Sequence, residues 1–286
     1  QSLLKNISEQ NNYDVLILHT HVSLKNQKLL IKMTRDYTNV SLRFFDIGYL
    51  ASSLHFISNN HVSVETFYRL ISNRIFKNYE KVVYLDSDII IQKDVYELYN
   101  TDLKKSLVGA VVDADHAGEY NGAIPGVKKY TDKILKLKEP YKYFQAGVLI
   151  FNIKQMNLEF EEDELTDFAQ EREFMYVDQD VLNVKCENQV TYLDPRWNVM
   201  TDCDGIRINQ LIKRAPQYMY EDYMESRKSP FIIHYAGDEK PWNSPLCDYA
   251  DVFWMYARQT IFYEAILWRM SDHVINSHFS IFSKHD

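Results

Sequence analysis

The sequence predicts an α/β fold in which helices cover both faces of a mostly parallel sheet. As far as about residue 140, apolar runs of strand length alternate with segments of helical spacing. The runs YDVLILHT and SLVGAVV are apolar throughout, with no regular polar alternation. Strands of this kind are buried on both faces, which is typical of parallel sheets between layers of helices.

The predicted elements follow in chain order. A helix fragment, SLLKNISEQ, precedes the first strand, YDVLILHT, and a helix behind an N-capping serine, SLKNQKLLIKMTRDY, comes after it. A strand, a helix and two strands are predicted next, in VSLRFFDIG, SVETFYRLISNRIF, KVVYLDSDIII and SLVGAVVDAD. The alternation then loosens. Strands are predicted in YFQAGVLIFNI, TYLDPRWNVM and FIIHYAG, helices in EEDELTDFAQERE and DQDVLNVKC, and an aromatic helical tail in ADVFWMYARQTIFYEAILWRM.

Bulk properties limit the classes of function. The 286 residues show no linker or repeat, so we predict one domain. A net charge of −8 argues against a nucleic-acid partner, and an anionic ligand would need a local basic pocket or a metal ion. There is no apolar run of the roughly 18 residues that a membrane-spanning helix needs, and no signal-peptide pattern. We therefore expect a cytoplasmic protein.

The cysteines and the tail bear on the same expectation. The three cysteines are few, odd in number and without a spacing pattern, which favours a reducing compartment over a disulfide framework. The aromatic tail has few basic residues, whereas helices that lie on membranes usually have a basic polar face. We expect the tail to pack on the core, and the alternative is a weak peripheral contact with the inner face of the membrane.

Two carboxylates interrupt an apolar run in YLDSDIII. Asp86 and Asp88 are two residues apart, so on a strand they share a face and can address one point. Paired carboxylates suit a hard divalent cation such as Mg²⁺ or Mn²⁺, which often keeps a substrate phosphate among its ligands. An acidic turn that caps the next segment explains the same spacing, and the pattern alone leaves both interpretations open.

A second group of candidates is in HYAGDEKPW. His234 could complete a metal site, Gly237 would let the backbone approach a phosphate, and Lys240 could pair with that phosphate. The structural alternative is a histidine in a turn closed by Pro241.

Three more sets have structural explanations of comparable weight. Acidic residues in VDQDVLN suit the start of a helix, where they complement its dipole, and two aspartates after LVGAVV suit a turn. An arginine in HVSVETFYRL could bind phosphate or hydroxyl groups, or simply form an ion pair. The residues concerned are Asp178, Gln179 and Asp180, then Asp113 and Asp115, and finally His61 and Arg69.

Seven segments taken together resemble the family 8 glycosyltransferases, which include glycogenin and bacterial lipopolysaccharide galactosyltransferases. They occur in order over residues 1–245 as HVSVETFYRL, KVVYLDSDIIIQKDVYELYNTDL, VGAVVDAD, YFQAGVLIFNI, DQDVLN, LDPRWNVM and HYAGDEKPW. The resemblance implies a GT-A fold over residues 1–245, with residues 246–286 as a helical extension. It also implies a bacterial, retaining hexosyltransferase that uses a UDP-sugar, with glucose or galactose expected, and Mn²⁺, with Mg²⁺ as the alternative. The acceptor would be a glycan, a glycolipid or a glycoprotein.

The resemblance also assigns roles to residues of this sequence. The implied metal ligands are Asp86, Asp88 and His234. The implied donor-binding residues are His61, Arg69, Asp86, Ser87, Asp113, Gln145, Gly237 and Lys240. The implied catalytic residues are Asp178 and Gln179, with Gln179 behind the anomeric carbon. Because the latter is an amide, we expect same-face attack through a short-lived oxocarbenium-like ion rather than a covalent intermediate.

Two departures from the family pattern concern the donor. In the family, a strand that ends in base-binding and ribose-binding residues precedes the first helix, and this sequence begins within that helix. Gln145 stands where YFNAG is the commoner form, and its extra methylene could change which donor hydroxyl is read. Two rival functions are a sugar nucleotidyltransferase, which usually has a Gly-rich basic loop near its start, and an inactive sugar-nucleotide-binding domain.

Overall fold

The structure is a computed structural model that describes residues 1–52 and 64–282. The predicted His61 lies outside the described residues. The strands are β1 Tyr13–His19, β2 Val40–Asp46, β3 Val82–Leu85, β4 Ile89–Ile91, β5 Val108–Val112, β6 Phe144–Phe151, β7 Val190–Tyr192, β8 Val199–Met200 and β9 Ile232–His234.

Helices occupy most of the connections between these strands. The α-helices are α1 Ser2–Asn6, α2 Leu24–Met33, α3 Gly48–Ser52, α4 Ser72–Ile75, α5 Val95–Tyr99, α6 Ala114–Gly118, α7 Val127–Tyr130, α8 Ile153–Glu159, α9 Glu164–Gln170, α10 Val177–Lys185, α11 Gln217–Ser226, α12 Ala250–Ala257 and α13 Tyr263–Phe282. Within the described residues, the 3₁₀-helical segments are Val64–Ile71, Pro140–Lys142, Pro195–Asn198 and Ile212–Arg214. The π-helical segments there are Glu119–Ala123, Thr131–Leu135 and Arg207–Leu211.

The strands pair in three groups, and the sheets are mixed rather than mostly parallel. One group is β3-β6-β5-β7, another is β4-β9-β8, and β1 pairs with β2. The pairs β1–β2, β5–β7 and β8–β9 are parallel, whereas β3–β6, β5–β6 and β4–β9 are antiparallel. The predicted strand direction was therefore wrong for half of the described pairs. A continuous apolar run reports burial on both faces, and burial carries no information about direction.

Strand β6 shows why the central strands are apolar throughout. Leu149 and Phe151 point into one apolar cluster, and Val148 and Ile150 point into a second cluster on the other face. All four side chains are fully buried. The strands β1 and β3 also contribute alternate residues to both clusters, yet no described pairing joins these two strands.

The predicted strand KVVYLDSDIII is two strands. Strand β3 ends at Leu85 and pairs with β6, while β4 begins at Ile89 and pairs with β9 in a different sheet. Asp86, Ser87 and Asp88 form the break between them. The acidic residues therefore occur where the chain passes from one sheet to the next, rather than inside a single strand.

The tail packs in part as expected. Tyr256 of α12 is buried in a cluster with Ile90, Ile233 and Tyr235, so this helix covers strands β4 and β9. Trp268 on α13 is largely exposed. In the part of the chain that the structure describes, none of the helices combines the length and the apolar character that crossing a membrane requires.

The structure contradicts the expectation of unpaired cysteines. Cys203 and Cys247 form a disulfide, and Cys186 is buried and free. The two paired residues are 44 positions apart, and their spacing alone gave no sign of the bond. The fold brings their segments together, since the backbone N–H of Asp202 donates to Asp248 over 3.0 Å. The cysteine argument for a reducing compartment no longer stands.

Candidate active site

The backbone around the break between β3 and β4 fixes both carboxylates. The N–H of Asp86 donates to the carbonyl of Gly147 on β6 over 2.8 Å. The N–H of Tyr235, just after β9, donates to the carbonyl of Asp88 over 2.9 Å. Each aspartate is thus anchored to a different sheet, and both side chains are partly exposed at the same place.

His234 reaches this place because it ends β9. In the antiparallel β4–β9 pair, Ile89 is opposite His234, so the imidazole lies next to the residue that precedes Ile89. Its Nε2 atom is 3.3 Å from Oδ1 of Asp88 and 3.8 Å from Oδ2 of Asp86. One ligand atom of each of the three residues lies within 4.8 Å of the others. Two carboxylate oxygens and an imidazole nitrogen form a donor set that fits Mn²⁺, so the metal ligands implied by the resemblance do come together.

Gly147 closes one side of the site, and the sequence gave no reason to select it. A Cβ atom at this position would be 2.3 Å from Cε1 of His234 and 2.7 Å from Oδ2 of Asp86. Such contacts are far shorter than van der Waals separations, so the backbone of β6 approaches the donor set where a side chain would exclude it.

Two amides lie behind His234. Its Nδ1 atom is 2.9 Å from Oδ1 of Asn198, and Nδ2 of Asn198 is 2.6 Å from Oε1 of Gln145. The same Oε1 accepts the N–H of Gly147 over 2.5 Å. Gln145 was predicted to bind the donor. In the structure its side-chain oxygen accepts hydrogen bonds from Asn198 and Gly147, and through Asn198 it helps to hold His234. Asn198 was not selected from the sequence, because a single asparagine in a 3₁₀ turn carries no recognisable chemical pattern.

Lys240 lies on the other side of Asp88. Its Nζ donates to Oδ2 of Asp88 and to the carbonyl of Tyr235. Burial would raise the pKa of Asp88, but the ammonium group of Lys240 opposes this shift, and the pKa lies well below its ordinary value. Gly237 is exposed in the loop between them and has a φ of 106°, a conformation that favours glycine. The cation therefore lies beside the donor set, and the glycine is in the loop that leads from His234 to it.

Arg69 is buried behind the carboxylates. Its Nη2 is 2.9 Å from Oδ1 of Asp86, its Nε is 2.8 Å from Oδ2 of Asp178, and its Nη1 donates to the carbonyl of Ala146. Burial raises the pKa of Asp178 to about 7, although the charge of Arg69 opposes the shift. Every nitrogen of the guanidinium thus has a protein partner, and Arg69 orients the two aspartates.

Gln179 links α10 to the end of β5. Its Nε2 donates to Oδ2 of Asp113 over 2.9 Å, and its Oε1 accepts the N–H of Ala146 over 2.9 Å. Asp113 also caps α6 through the N–H of His116. Burial, together with the charge of Asp115, raises the pKa of Asp113 to about 6. The predicted pair Asp113 and Gln179 is therefore a single hydrogen-bonded unit.

Arg207 is a further cation that the sequence did not indicate. Its Nε is 2.7 Å from Oδ2 of Asp115, its Nη1 donates to the carbonyl of Thr201, and its Nη2 donates to the carbonyl of Ala236 over 3.3 Å. It therefore joins the segment after β8 to the loop that contains Gly237. Arg207 comes from an irregular segment and reaches that loop only in the folded chain, so no sequence pattern singled it out.

The structure thus unites most of the predicted site residues. Asp86, Asp88, His234 and Lys240 are in direct contact, and Gln145, Arg69, Asp178, Gln179 and Asp113 surround them. Ser87 is exposed between the two metal-ligand candidates.

Comparison with known proteins identifies the family. The profile described as Glycosyl transferase family 8 matches residues 1–245. The chain belongs to this family. Among curated relatives, this family 8 chain is 25% identical over 251 residues to General stress protein A of Bacillus subtilis, which covers 85% of the chain and 81% of the relative. It is also 25% identical over 248 residues to a lipopolysaccharide 1,2-glucosyltransferase of Escherichia coli, with 85% and 67% covered.

Solved structures show the same fold. The apo structure of the bifunctional glycosyltransferase WbbM matches with a TM-score of 0.84 and 31% identity over 94% of the family 8 chain, which spans only 48% of the WbbM chain. The galactosyltransferase LgtC, solved with donor and acceptor sugar analogues, matches with a TM-score of 0.62 and 22% identity, covering 90% and 84% of the two chains. The GT-A α/β fold is confirmed, and the family 8 chain is a glycosyltransferase.

Proposed function

We propose that this enzyme is a retaining, Mn²⁺-dependent hexosyltransferase that uses a UDP-sugar. The observation that carries the proposal is the convergence of Asp86, Asp88 and His234, with ligand atoms within 4.8 Å of one another and Lys240 bonded to Asp88. An acidic turn does not require a histidine and a lysine from about 150 residues away in the chain. Family membership makes a glycosyl donor the natural ligand of this arrangement.

The side chains have distinct tasks in the proposed reaction. Asp86, Asp88 and His234 would hold the metal, which when bound would stabilise negative charge on the departing diphosphate. Lys240 is close enough to Asp88 to reach a phosphate beside the metal, and Gly237 would let the backbone approach it. Preorganised positive charge of this kind lowers the barrier because it is already in place when the charge develops.

The sugar would lie against Gln179 and Asp113. Gln179 is held by the N–H of Ala146 and donates to Asp113, so its amide has a fixed orientation. An amide is a poor nucleophile, and Asp178 is buried behind Arg69. We therefore propose same-face attack through a short-lived oxocarbenium-like ion. Isolation of a glycosyl adduct on Gln179 or Asp178 by mass spectrometry would refute this mechanism.

The proposal extends to substrate class and location. We propose glucose or galactose as the donor sugar and a glycan, glycolipid or glycoprotein as the acceptor. The relation to a lipopolysaccharide 1,2-glucosyltransferase favours a bacterial cell-surface glycolipid among these. We also propose a cytoplasmic enzyme, with residues 1–245 as the catalytic domain and the tail as an extension that could contact the membrane surface.

A thermal-shift panel tests the donor and the metal together. The ligands are UDP-glucose, UDP-galactose, UDP-N-acetylglucosamine and GDP-mannose, each with and without Mn²⁺ and Mg²⁺. We expect a UDP-sugar to raise Tm only with metal, and Asp88→Ala to abolish the increase. Asp102→Ala is the matched control, since Asp102 is exposed and accepts the N–H of Lys104.

Three outcomes would contradict the proposal. Equal Tm increases without metal would refute the role of Asp88, and absence of hydrolysis or transfer with every donor would indicate an inactive binding domain. Release of pyrophosphate from a sugar phosphate and a nucleoside triphosphate would instead identify a nucleotidyltransferase.

A further inference from the structure

A series of hydrogen bonds begins at a backbone N–H and ends at His234. The N–H of Gly147 is 2.5 Å from a side-chain atom of Gln145. A backbone N–H can only donate, so this atom must be the carbonyl oxygen of the glutamine. The opposite orientation of the amide is excluded, because it would place the NH₂ group of Gln145 against the N–H of Gly147, and both groups are donors.

The orientation of Asn198 follows from that of Gln145. The same glutamine oxygen is 2.6 Å from the amide end of Asn198, and an amide oxygen carries no hydrogen. The group that faces it must therefore be the NH₂ of Asn198. The remaining oxygen of Asn198 then lies 2.9 Å from Nδ1 of His234, and it can only accept. Nδ1 must carry a proton, which leaves the lone pair of a neutral ring on Nε2.

We propose that Gln145 and Asn198 are positioning residues that hold His234 in the tautomer and ring orientation needed to bind a metal ion. The inference rests on the metal site of the proposed function and deepens it. Nε2 is the atom that faces Asp86 and Asp88. An imidazole binds a metal through an unprotonated nitrogen, and the bond made by the other nitrogen decides which one is free.

The carboxylates themselves make this support necessary. Oδ1 of Asp88 is 3.3 Å from Nε2, so without Asn198 the ring would do better to place its proton on Nε2 and donate to Asp88. That tautomer cannot bind a metal ion through Nε2. Water cannot replace Asn198 readily, since Asn198 and His234 are both buried, with exposed fractions of 5% and 2%. The oxygen of Asn198 thus opposes the proton transfer that Asp88 favours.

Three variants separate the hydrogen bonds from the packing. Asn198→Leu and Gln145→Met remove the acceptors, whereas Gln145→Glu keeps an acceptor oxygen toward the N–H of Gly147 and the NH₂ of Asn198. We expect the first two variants to weaken Mn²⁺ binding, followed by electron paramagnetic resonance of the free ion, by about 10- to 100-fold. Gln145→Glu should bind within a few-fold of the wild type. Asn152→Leu is the control for stability, since Asn152 caps α8 far along the chain from the ligands.

The proton on Nδ1 provides a readout that needs neither metal nor activity. Long-range ¹H–¹⁵N spectra of the metal-free protein at pH 8.5 distinguish the two tautomers, and His234→Gln assigns the signal. We expect Nδ1 to be protonated in the wild type and in Gln145→Glu, and the proton to shift to Nε2 in Asn198→Leu and Gln145→Met. Circular dichroism verifies that each variant is folded, and Gln145→Met tests the inference if Asn198→Leu is not.

The outcomes distinguish this inference from the proposed function. Failure of the wild type to bind Mn²⁺ or Mg²⁺ would refute the proposed metal site, whatever the tautomer. Binding by the wild type together with unchanged binding and unchanged Nδ1 signals in Asn198→Leu and Gln145→Met would overturn the positioning role alone. An unprotonated Nδ1 in the wild type would also overturn it.

Discussion

Gly147 leaves no room for a side chain beside His234. A Cβ atom at position 147 would be 2.3 Å from Cε1 of the imidazole, which is itself buried. It would also be 2.7 Å from Oδ2 of Asp86. One glycine on β6 therefore sets the space available to two of the three candidate metal ligands.

Gly147→Ala should disable the site. Both neighbours are held by hydrogen bonds or ion pairs, so neither can move away cheaply, and we expect loss of the metal-dependent Tm increase and a drop in kcat/KM of about 100-fold or more. Gly109→Ala on β5 is the control, because its Cβ would approach side-chain methyl groups of Leu103 and Ile150 instead. The control should lose stability but keep the Tm increase. Normal donor binding by Gly147→Ala would refute the close approach.

Lys240→Met should reduce turnover more than it reduces stability. The ammonium group neutralises Asp88, and in the proposed reaction it faces the departing diphosphate, so its loss would remove positive charge where negative charge develops. We expect kcat to fall by roughly 10²- to 10³-fold, as for other preorganised donors. Steady-state kinetics with the preferred UDP-sugar measures this. Lys228→Met, at an exposed pair with Glu225, should leave kcat unchanged, and an equal loss in both variants would contradict a specific role for Lys240.

Arg207→Met should destabilise the fold through Asp115. The two side chains are mostly buried, with exposed fractions of 15% and 14%, so removal of the cation leaves a carboxylate without its partner. Breaking a buried pair in this way costs about 3–5 kcal/mol, measured here as the free energy of unfolding in urea. Asp115→Leu in the same chain should restore part of the loss. The exposed pair of Arg43 with Asp14 is the control, for which Arg43→Met should cost far less, because solvent screens an exposed ion pair.

Glu119→Gln should change how stability depends on pH. Burial raises the pKa of Glu119 from an ordinary value of 4.5 to about 7. Between these values the folded state binds more protons than the unfolded state, so stability falls as pH rises through this window. The variant has no proton to lose there, and its amide oxygen can still accept from Tyr176. We expect equal Tm values near pH 4.5 and a Tm a few degrees above wild type at pH 8, and a constant difference across this range would contradict the assignment.

The sequence predicted the chemistry of the site better than its architecture. Asp86, Asp88, His234 and Lys240 could be selected because they lie in segments that resemble the family 8 series, whereas their residue types and spacing alone left a structural explanation open. Strand direction could not be predicted, since Val148 and Ile150 would be equally well buried whether the neighbouring strands ran parallel or antiparallel to β6. The division of YLDSDIII between two sheets was missed for the same reason, because both halves are apolar.

The residues that were missed act through position rather than through their own chemistry. Gly147 matters because of the atoms that a side chain would meet, and Asn198 because of which nitrogen of His234 it faces. Arg207 comes from an irregular segment and joins the site through backbone carbonyls. The disulfide between Cys203 and Cys247 likewise depends on the folded path of the chain.

The pairing of Ile89 with His234 has a consequence for how the enzyme is assembled. Successive residues of a strand face opposite sides, so a shift of β9 by one residue would present Ile233 or Tyr235 to the two aspartates in place of the imidazole. The shifted chain could keep most of its apolar contacts and would lose its third candidate ligand. Metal binding by this protein would therefore also report on the alignment of β9, and a folded wild-type population that binds no metal could contain misaligned β9.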